Sequence, residues 1–311
     1  MVDKTLPKSK VLVTGATGFL GRHVVKTLQE DEWDVIETSK TLGFDLRNEA
    51  EVLTLGWITK PDVVVHLAKQ SFTEERSAQD FRDTLSMGLN VLQMAALSKA
   101  KVVMVAPSSC YSIVGEPVIE KDFPCTFGMD GYSNAKRALL SACDAYGHQY
   151  GLEYRFLVMS ELYGPSGKAR GKMQSVDSLL TRAVLARAKK ETKIVLPGDG
   201  TQERQPLFVQ DAACAIAHAC DFERAAPIIN VPGGTILTEK DLAALCAKIS
   251  GFSGEIAWDP EAWGLPQAVM KPGGMAKKAL DWEPEVPLQD GLLATLEWLV
   301  PQLVEEAASA T

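Results

Sequence analysis

The sequence predicts an α/β fold, a doubly wound parallel sheet with a smaller C-terminal substrate-binding lobe. Three observations lead there. Short apolar runs alternate with amphipathic helical stretches as far as Met159. A glycine-rich turn joins the first run to the first helical stretch. Beyond Gly164-Pro165 the alternation changes, and the stretch from Phe252 to Pro287 is rich in Pro, Gly and Trp. Strands that read as unbroken apolar runs belong to sheets covered by helices on both faces.

Taken in order, Val11-Leu12-Val13 reads as a buried strand. Phe19 to Glu30 has helical spacing, with Leu20, Val24, Val25 and Leu28 on one face. Asp34–Ile36 is a second strand, a helix follows around Asn48–Leu55, and Asp62–Leu67 is a third strand. A long amphipathic helix is expected over Asp80–Ser98, then a fourth strand over Lys101–Ala106. Gly131–Tyr150 reads as a helix and Tyr154–Met159 as a strand. Ser166–Lys172 has the Gly and Lys content of a loop. Helices at Val176–Lys189, Asp211–Cys220 and Asp241–Ile249 alternate with strands at Ile194–Leu196 and Ile228–Val231. A last helix spans Leu288–Leu299, and Glu305–Thr311 is expected to fray. Residues 1–165 and 206–238 are expected to form the NAD(P)-binding Rossmann domain, and 166–205 with 239–311 the substrate lobe.

The 311 residues carry 46% hydrophobic and 23% charged side chains, enough to bury a sizeable core. A net charge of −8 argues against nucleic acid and anionic membrane as partners. The six cysteines form no C-x-x-C pair, and Met1 to Lys10 is polar. A reducing, cytoplasmic setting with free thiols is expected, with no metal site. The apolar runs are strand-length, too short to span a membrane.

Gly15-Ala-Thr-Gly18-Phe-Leu-Gly21 lies between the first strand and the first helix. Glycines let the backbone approach a pyrophosphate, and the helix start offers free N–H groups. Gly15, Thr17, Gly18, Phe19, Leu20 and Gly21 are therefore cofactor candidates. Glu37 stands where an acidic residue would hold the adenosine ribose of NAD(H). Lys40, three residues on, suits the 2′-phosphate of NADP(H), which is favoured. Asp45 and Leu46 are placed to meet the adenine.

Tyr132 and Lys136 are four apart at the start of a helix and share a face. A lysine cation beside a phenol should favour the tyrosinate, which makes the pair an acid–base device. Ser108 ends the fourth strand, where its hydroxyl can bond a reacting oxygen. Cys110 has two readings, an acid–base thiol or a small apolar filler.

Thr14-Gly-Ala-Thr-Gly-Phe-Leu-Gly21, His66-Leu67-Ala68, Ser108-Ser109 and Tyr132-Ser-Asn-Ala-Lys136 together resemble the extended short-chain dehydrogenase/reductase family. The resemblance implies hydride transfer to or from a nucleotide-activated sugar. Pro107-Ser-Ser-Cys110, Leu162-Tyr-Gly-Pro165, Gly198-Asp-Gly-Thr-Gln-Glu-Arg204 and the stretch from Lys271 to Asp281 look like the family's GDP-4-keto-6-deoxymannose epimerase–reductase branch. By that likeness Ser108, Tyr132 and Lys136 are the reductase triad, and Cys110 is the epimerisation acid–base group. Arg204 contacts the nucleotide-sugar phosphates, with Ser109, Arg182 and Lys271 on the same ligand. Leu67, Ala68, Lys69, Asn90, Met159 and Leu162 join Tyr132 and Lys136 along the cofactor. A homodimer through Asp80–Ser98 and Gly131–Tyr150 is also implied. The branch's epimerisation histidine has no counterpart, since Gln174 or Ser175 stands there.

Overall fold

The computed structural model describes residues 9–69, 77–111, 117–120, 130–165, 175–222, 226–262 and 268–309. The expected loop at Ser166–Lys172 lies outside them, as does Gln174.

Six parallel strands form the central sheet. In chain order they are β1 (Lys10–Thr14), β2 (Asp34–Thr38), β3 (Val63–His66), β4 (Lys101–Pro107), β5 (Tyr154–Met159) and, far along the chain, Ile228–Val231. Between them run α1 (Phe19–Glu30), α2 (Glu49–Thr59), α3 (Ser77–Ser98) and α4 (Gly131–Tyr150). The short β6 (Glu161–Tyr163) leaves the sheet, followed by α5 (Val176–Ala188), β7 (Lys193–Pro197), β8 (Glu203–Arg204), β9 (Pro206–Phe208) and α6 (Val209–Ala219). The sixth sheet strand is therefore β10, and β11 (Leu237–Thr238), α7 (Glu239–Ser250), β12 (Glu255–Asp259) and α8 (Leu288–Ser309) complete the chain.

The sheet order is β10-β5-β4-β3-β1-β2. The chain runs outward from β1 to β2, then returns to pair β3 on the other side of β1. That reversal opens a crevice at the carboxyl ends of β1 and β3, the place where ligands bind in such sheets.

Alternate residues explain the double cover. Val11, Val13, Val63, Val65 and Leu157 pack with Val24 and Leu28 of α1 and Ile216 of α6. Their neighbours Leu12, Val64, Met104 and Phe156 pack with Val91 and Leu92 of α3 and Leu139 of α4. Every second side chain thus serves the opposite layer, and the central strands carry apolar residues on both faces. A separate core gathers Leu179 and Leu180 of α5, Leu196 of β7, Leu242 of α7 and Leu292 of α8.

Two expectations change. The Pro- and Gly-rich tail contains β12, paired in parallel with β7. Its Ile256 and Trp258 pack on the third core, so tertiary contacts outweigh the weak local signal. The terminal helix runs past the expected end at Leu299, through Pro301 to Ser309, over a stretch rich in the helix formers Glu and Ala. Among the described residues no helix is long and apolar enough to cross a membrane, and no cluster could hold a metal ion.

Candidate active site

The glycine turn lets β1, the loop after β3 and the start of α1 pack closely together. Gly15 has φ +70°, and a Cβ there would come within 2.8 Å of the Ala68 backbone nitrogen. A Cβ on Gly21 would meet the Gly15 carbonyl oxygen at 2.2 Å, so α1 starts hard against the turn. Gly18 caps α1 without a side-chain acceptor. The first-turn N–H groups and the positive end of the helix dipole are left to an anion. The Thr14 hydroxyl accepts from the Leu67 and Ala68 N–H groups at 3.2 and 3.3 Å and lies 2.9 Å from His66 Nδ1. This brace fixes the ends of β1 and β3. His66 is buried, and burial, with Lys136 adding, pushes its pKa well below the usual value, so the imidazole is neutral.

At the end of β2, the hydroxyls of Thr17, Ser39 and Thr41 form a ring, with distances of 3.1, 2.8 and 2.9 Å. Lys40 is exposed beside it, and so is Glu37. Asp45 is engaged by Arg47, which donates from Nε at 2.9 Å and also bridges to Asp83 at 3.3 Å. The Arg47 hydrogen bond holds the Asp45 carboxyl down at about 2. Asn90 donates to the Leu46 carbonyl at 2.9 Å, joining α3 to the loop after β2. Met159 is core, Leu67, Ala68 and Leu162 are half-buried, and Lys69 is exposed.

Beyond β4 the backbone makes a single tight turn, Ser108–Cys110, and Ser108 is 5% exposed. Three ties bind this turn to the start of α4. The Ser109 and Ser133 hydroxyls are 2.7 Å apart, Cys110 Sγ donates to the Ser133 carbonyl at 3.6 Å, and Arg137 Nε donates to the Cys110 carbonyl at 2.7 Å. Asp130 caps α4, accepting from the Ser133 N–H at 2.8 Å and its hydroxyl at 3.1 Å. Gly131 lets this end approach α3, since a Cβ there would sit 2.0 Å from the Ser77 carbonyl. The Ser108 turn and the first turn of α4 are therefore one braced unit.

Tyr132 and Lys136 project from that turn, and Lys136 Nζ lies 5.8 Å from the centre of the Tyr132 ring. Lys136 is 1% exposed. Burial pushes its ammonium down to about 8. The expected depression of the Tyr132 pKa is corrected here. Burial raises that phenol instead, with Cys110 and Asp130 adding to the rise. The resting side chain is protonated, and a protonated phenol is a proton donor. Cys110 is wholly buried and its thiol is pushed up to about 12 by burial, so it carries no thiolate near neutral pH.

Ser175, at the place of the missing histidine, and the remaining substrate candidates sit on other elements. Ser175 caps α5, accepting from the Ser178 N–H at 3.2 Å. Arg182 is half-buried and reaches the Val195 carbonyl at 3.5 Å. Lys271 is exposed, and its backbone N–H donates to the Val118 carbonyl at 3.0 Å. Arg204 is 2% exposed and bound by Glu161 and Glu239. Sequence reading missed the Asp130 cap, although Asp before a helical run is a cap signal. It also missed Glu161 and Glu239, whose pairing with Arg204 exists only in three dimensions.

Residues 11–231 match the NAD dependent epimerase/dehydratase family. A GDP-L-fucose synthase 1 from Arabidopsis thaliana is 28% identical over 309 residues, covering 96% of this chain and 94% of the relative. Among solved structures, a GDP-L-fucose synthetase from Naegleria fowleri bound to NADP superposes with a TM-score of 0.83 at 18% identity, over 96% of this chain and 97% of the other. A UDP-glucose 4-epimerase from Thermotoga maritima with UDP-glucose gives 0.82 at 24% identity, over 94% and 99%.

Proposed function

The chain belongs to the NAD dependent epimerase/dehydratase family, and from that premise we propose that it is an NADP(H)-dependent reductase of a nucleotide-linked 4-keto-6-deoxyhexose. The observation that carries this is the bracing of the Ser108–Cys110 turn to the first turn of α4, from which Tyr132 and Lys136 project together. The likeness to a GDP-L-fucose synthase at 28% identity supports the substrate class.

The Gly15–Gly21 turn and the start of α1 would hold the dinucleotide pyrophosphate. When bound, the nicotinamide supplies a hydride for a carbonyl carbon. Tyr132, half-buried and protonated at rest because desolvation raises its phenol, gives its proton to the oxygen of that carbonyl. Ser108 donates a hydrogen bond to the same oxygen. Lys136 places a fixed cation beside the tyrosinate that forms, and electrostatic stabilisation of this kind acts where charge develops. The Asp130–Ser133–Ser109 chain keeps the two turns in register while this happens. The dinucleotide would occupy residues 1–165 with 206–238, and the sugar the lobe of 166–205 with 239–311.

NADP(H) is favoured over NAD(H) because the Thr17, Ser39 and Thr41 hydroxyls and Lys40 make a donor set suited to a phosphate monoester. Epimerisation is not part of the proposed activity. Cys110 is a buried thiol that donates to a carbonyl, and Ser175 is occupied as a helix cap. A homodimer through α3 and α4 is proposed on the exposed Leu97 and Tyr150. The test is mass spectrometry of products from a panel of 4-keto sugar nucleotides with NADPH or NADH in D₂O. Reduction with NADPH, and no deuterium at C3 or C5, is expected. No turnover of any 4-keto sugar sinks the reading. The second reading, a 4-epimerase, is favoured by the likeness to the UDP-glucose 4-epimerase fold. It requires NAD released when the purified protein is denatured.

A further inference from the structure

A guanidinium that meets a diphosphate has to present an open edge to it. Arg204 does not. It sits on β8, paired opposite Leu237 of β11. Its Nε donates to Glu161 Oε2 at 3.0 Å, its Nη2 to Glu161 Oε1 at 2.5 Å, and its Nη1 to Glu239 Oε1 at 2.8 Å. The Arg204 side chain is 2% exposed, and those of Glu161 and Glu239 are 9% and 5%. The Val176 N–H also donates to Glu161 Oε1 at 3.2 Å. Four elements, β6, β8, α5 and α7, therefore meet on one ion cluster.

The charge balance of this cluster opposes a phosphate. Two carboxylates face one guanidinium, a net charge of −1. Burial works against the Arg204 charge, but Glu161 and Glu239 outweigh it and keep the guanidinium protonated. A third carboxyl, Asp177 in the first turn of α5, accepts from the Gly164 N–H at 3.2 Å. Burial pushes that carboxyl up to about 7, against the Gly164 hydrogen bond and with Glu161 adding to the rise. Repulsion between like charges is little screened inside a protein.

We propose that Glu161 is a specificity-determining residue on the substrate side: it occupies the Arg204 edge, withholds that cation from the phosphates of a nucleoside diphosphate, and leaves Arg204 a positioning residue that joins β6, β8 and α7. The inference rests on the nucleotide-sugar reading above. The phosphates then fall to other cations, of which Arg182 and Lys271 are candidates among the described residues.

The test is calorimetric titration of GDP, and of UDP in parallel, into protein already saturated with NADPH, so that the cofactor site is filled. Glu161→Gln keeps an acceptor for Arg204 and Val176 but removes one negative charge. It is expected to bind at least one of the two nucleotides about tenfold more tightly than the wild type. Adding Arg204→Lys, which keeps the charge but loses the planar fork, should erase that gain. A purely structural Glu161 would not raise affinity. A dissociation constant for both nucleotides that is unchanged, weaker or unmeasurable in Glu161→Gln overturns the inference, as does a gain that survives Arg204→Lys. Should Glu161→Gln fail to melt cooperatively, Glu239→Gln removes the other negative charge and faces the same criterion. Tighter nucleotide binding without reduction of any 4-keto sugar would sink the proposed reaction and leave this inference standing. Turnover of the panel with an unchanged dissociation constant would do the reverse.

Discussion

Replacing Lys136 by methionine should make the protein more stable and inactive at once. Lys136 is 1% exposed, and burial moves its ammonium from 10.5 to about 8. One pKa unit corresponds to about 1.4 kcal/mol, so holding this cation in the fold costs about 3 kcal/mol. The sign follows from proton counting. Below pH 8 both folded and unfolded chains keep the proton, and the whole penalty is present. Between about 8 and 10.5 the folded chain has lost a proton that the unfolded chain still binds, so stability rises with pH. Lys136→Met removes the penalty and fills similar space. Urea unfolding of both chains without cofactor, at pH 6.5, 8 and 9.5, measures the difference, and groups that titrate alike in both drop out. The variant is expected to be about 3 kcal/mol more stable at pH 6.5, with the gap narrowing towards pH 9.5. A variant no more stable than the wild type at pH 6.5, or a gap that does not change with pH, would refute the reasoning. In the proposed reaction the cation is kept at that cost because the tyrosinate that forms needs it.

Other substitutions test the surrounding parts. Gly15→Ala places a methyl 2.8 Å from the Ala68 nitrogen at a φ of +70°, and should weaken NADPH binding more than tenfold while costing about 1–3 kcal/mol; unchanged cofactor affinity by fluorescence titration would remove the cradle from the account. Asp130→Ala loses the α4 cap and should cost about 1 kcal/mol in thermal melts, with kcat falling while the KM for NADPH holds. Equal kcat in that variant would show that the braced unit does not position Tyr132. Cys110→Ala should keep the reductase rate within a few-fold, and the wild-type Cys110 should resist iodoacetamide in the folded state, because the thiol is buried and pushed up to about 12. Rapid labelling of Cys110, read by peptide mass spectrometry, would contradict its burial.

The sheet was legible because its central strands carry apolar residues on both faces, which leaves unbroken runs such as Val63–Val65 and Val102–Ala106. Helices α1 and α4 were legible to their end residues, since Gly18 and Gly131 mark their starts and Gly151 the close of α4. The short strands β6, β8, β9 and β11 were not, because two or three residues carry no period. The serine, tyrosine and lysine proposed to be catalytic could be named from spacing and strand ends, but their titration could not. Whether a phenol rises or falls depends on burial against charge, and burial prevails at Tyr132. Arg204 shows the same limit most sharply. A motif supplies the residue, and its partners Glu161 and Glu239 lie 43 and 35 positions away in the chain.

The most direct test of the central claim is single-turnover NADPH oxidation by Tyr132→Phe on whichever 4-keto sugar nucleotide the wild type reduces. The loss of one hydroxyl should lower the rate about 10²–10⁴-fold and leave the NADPH dissociation constant within a factor of two or so. A rate within tenfold of the wild type would show that the proton comes from elsewhere.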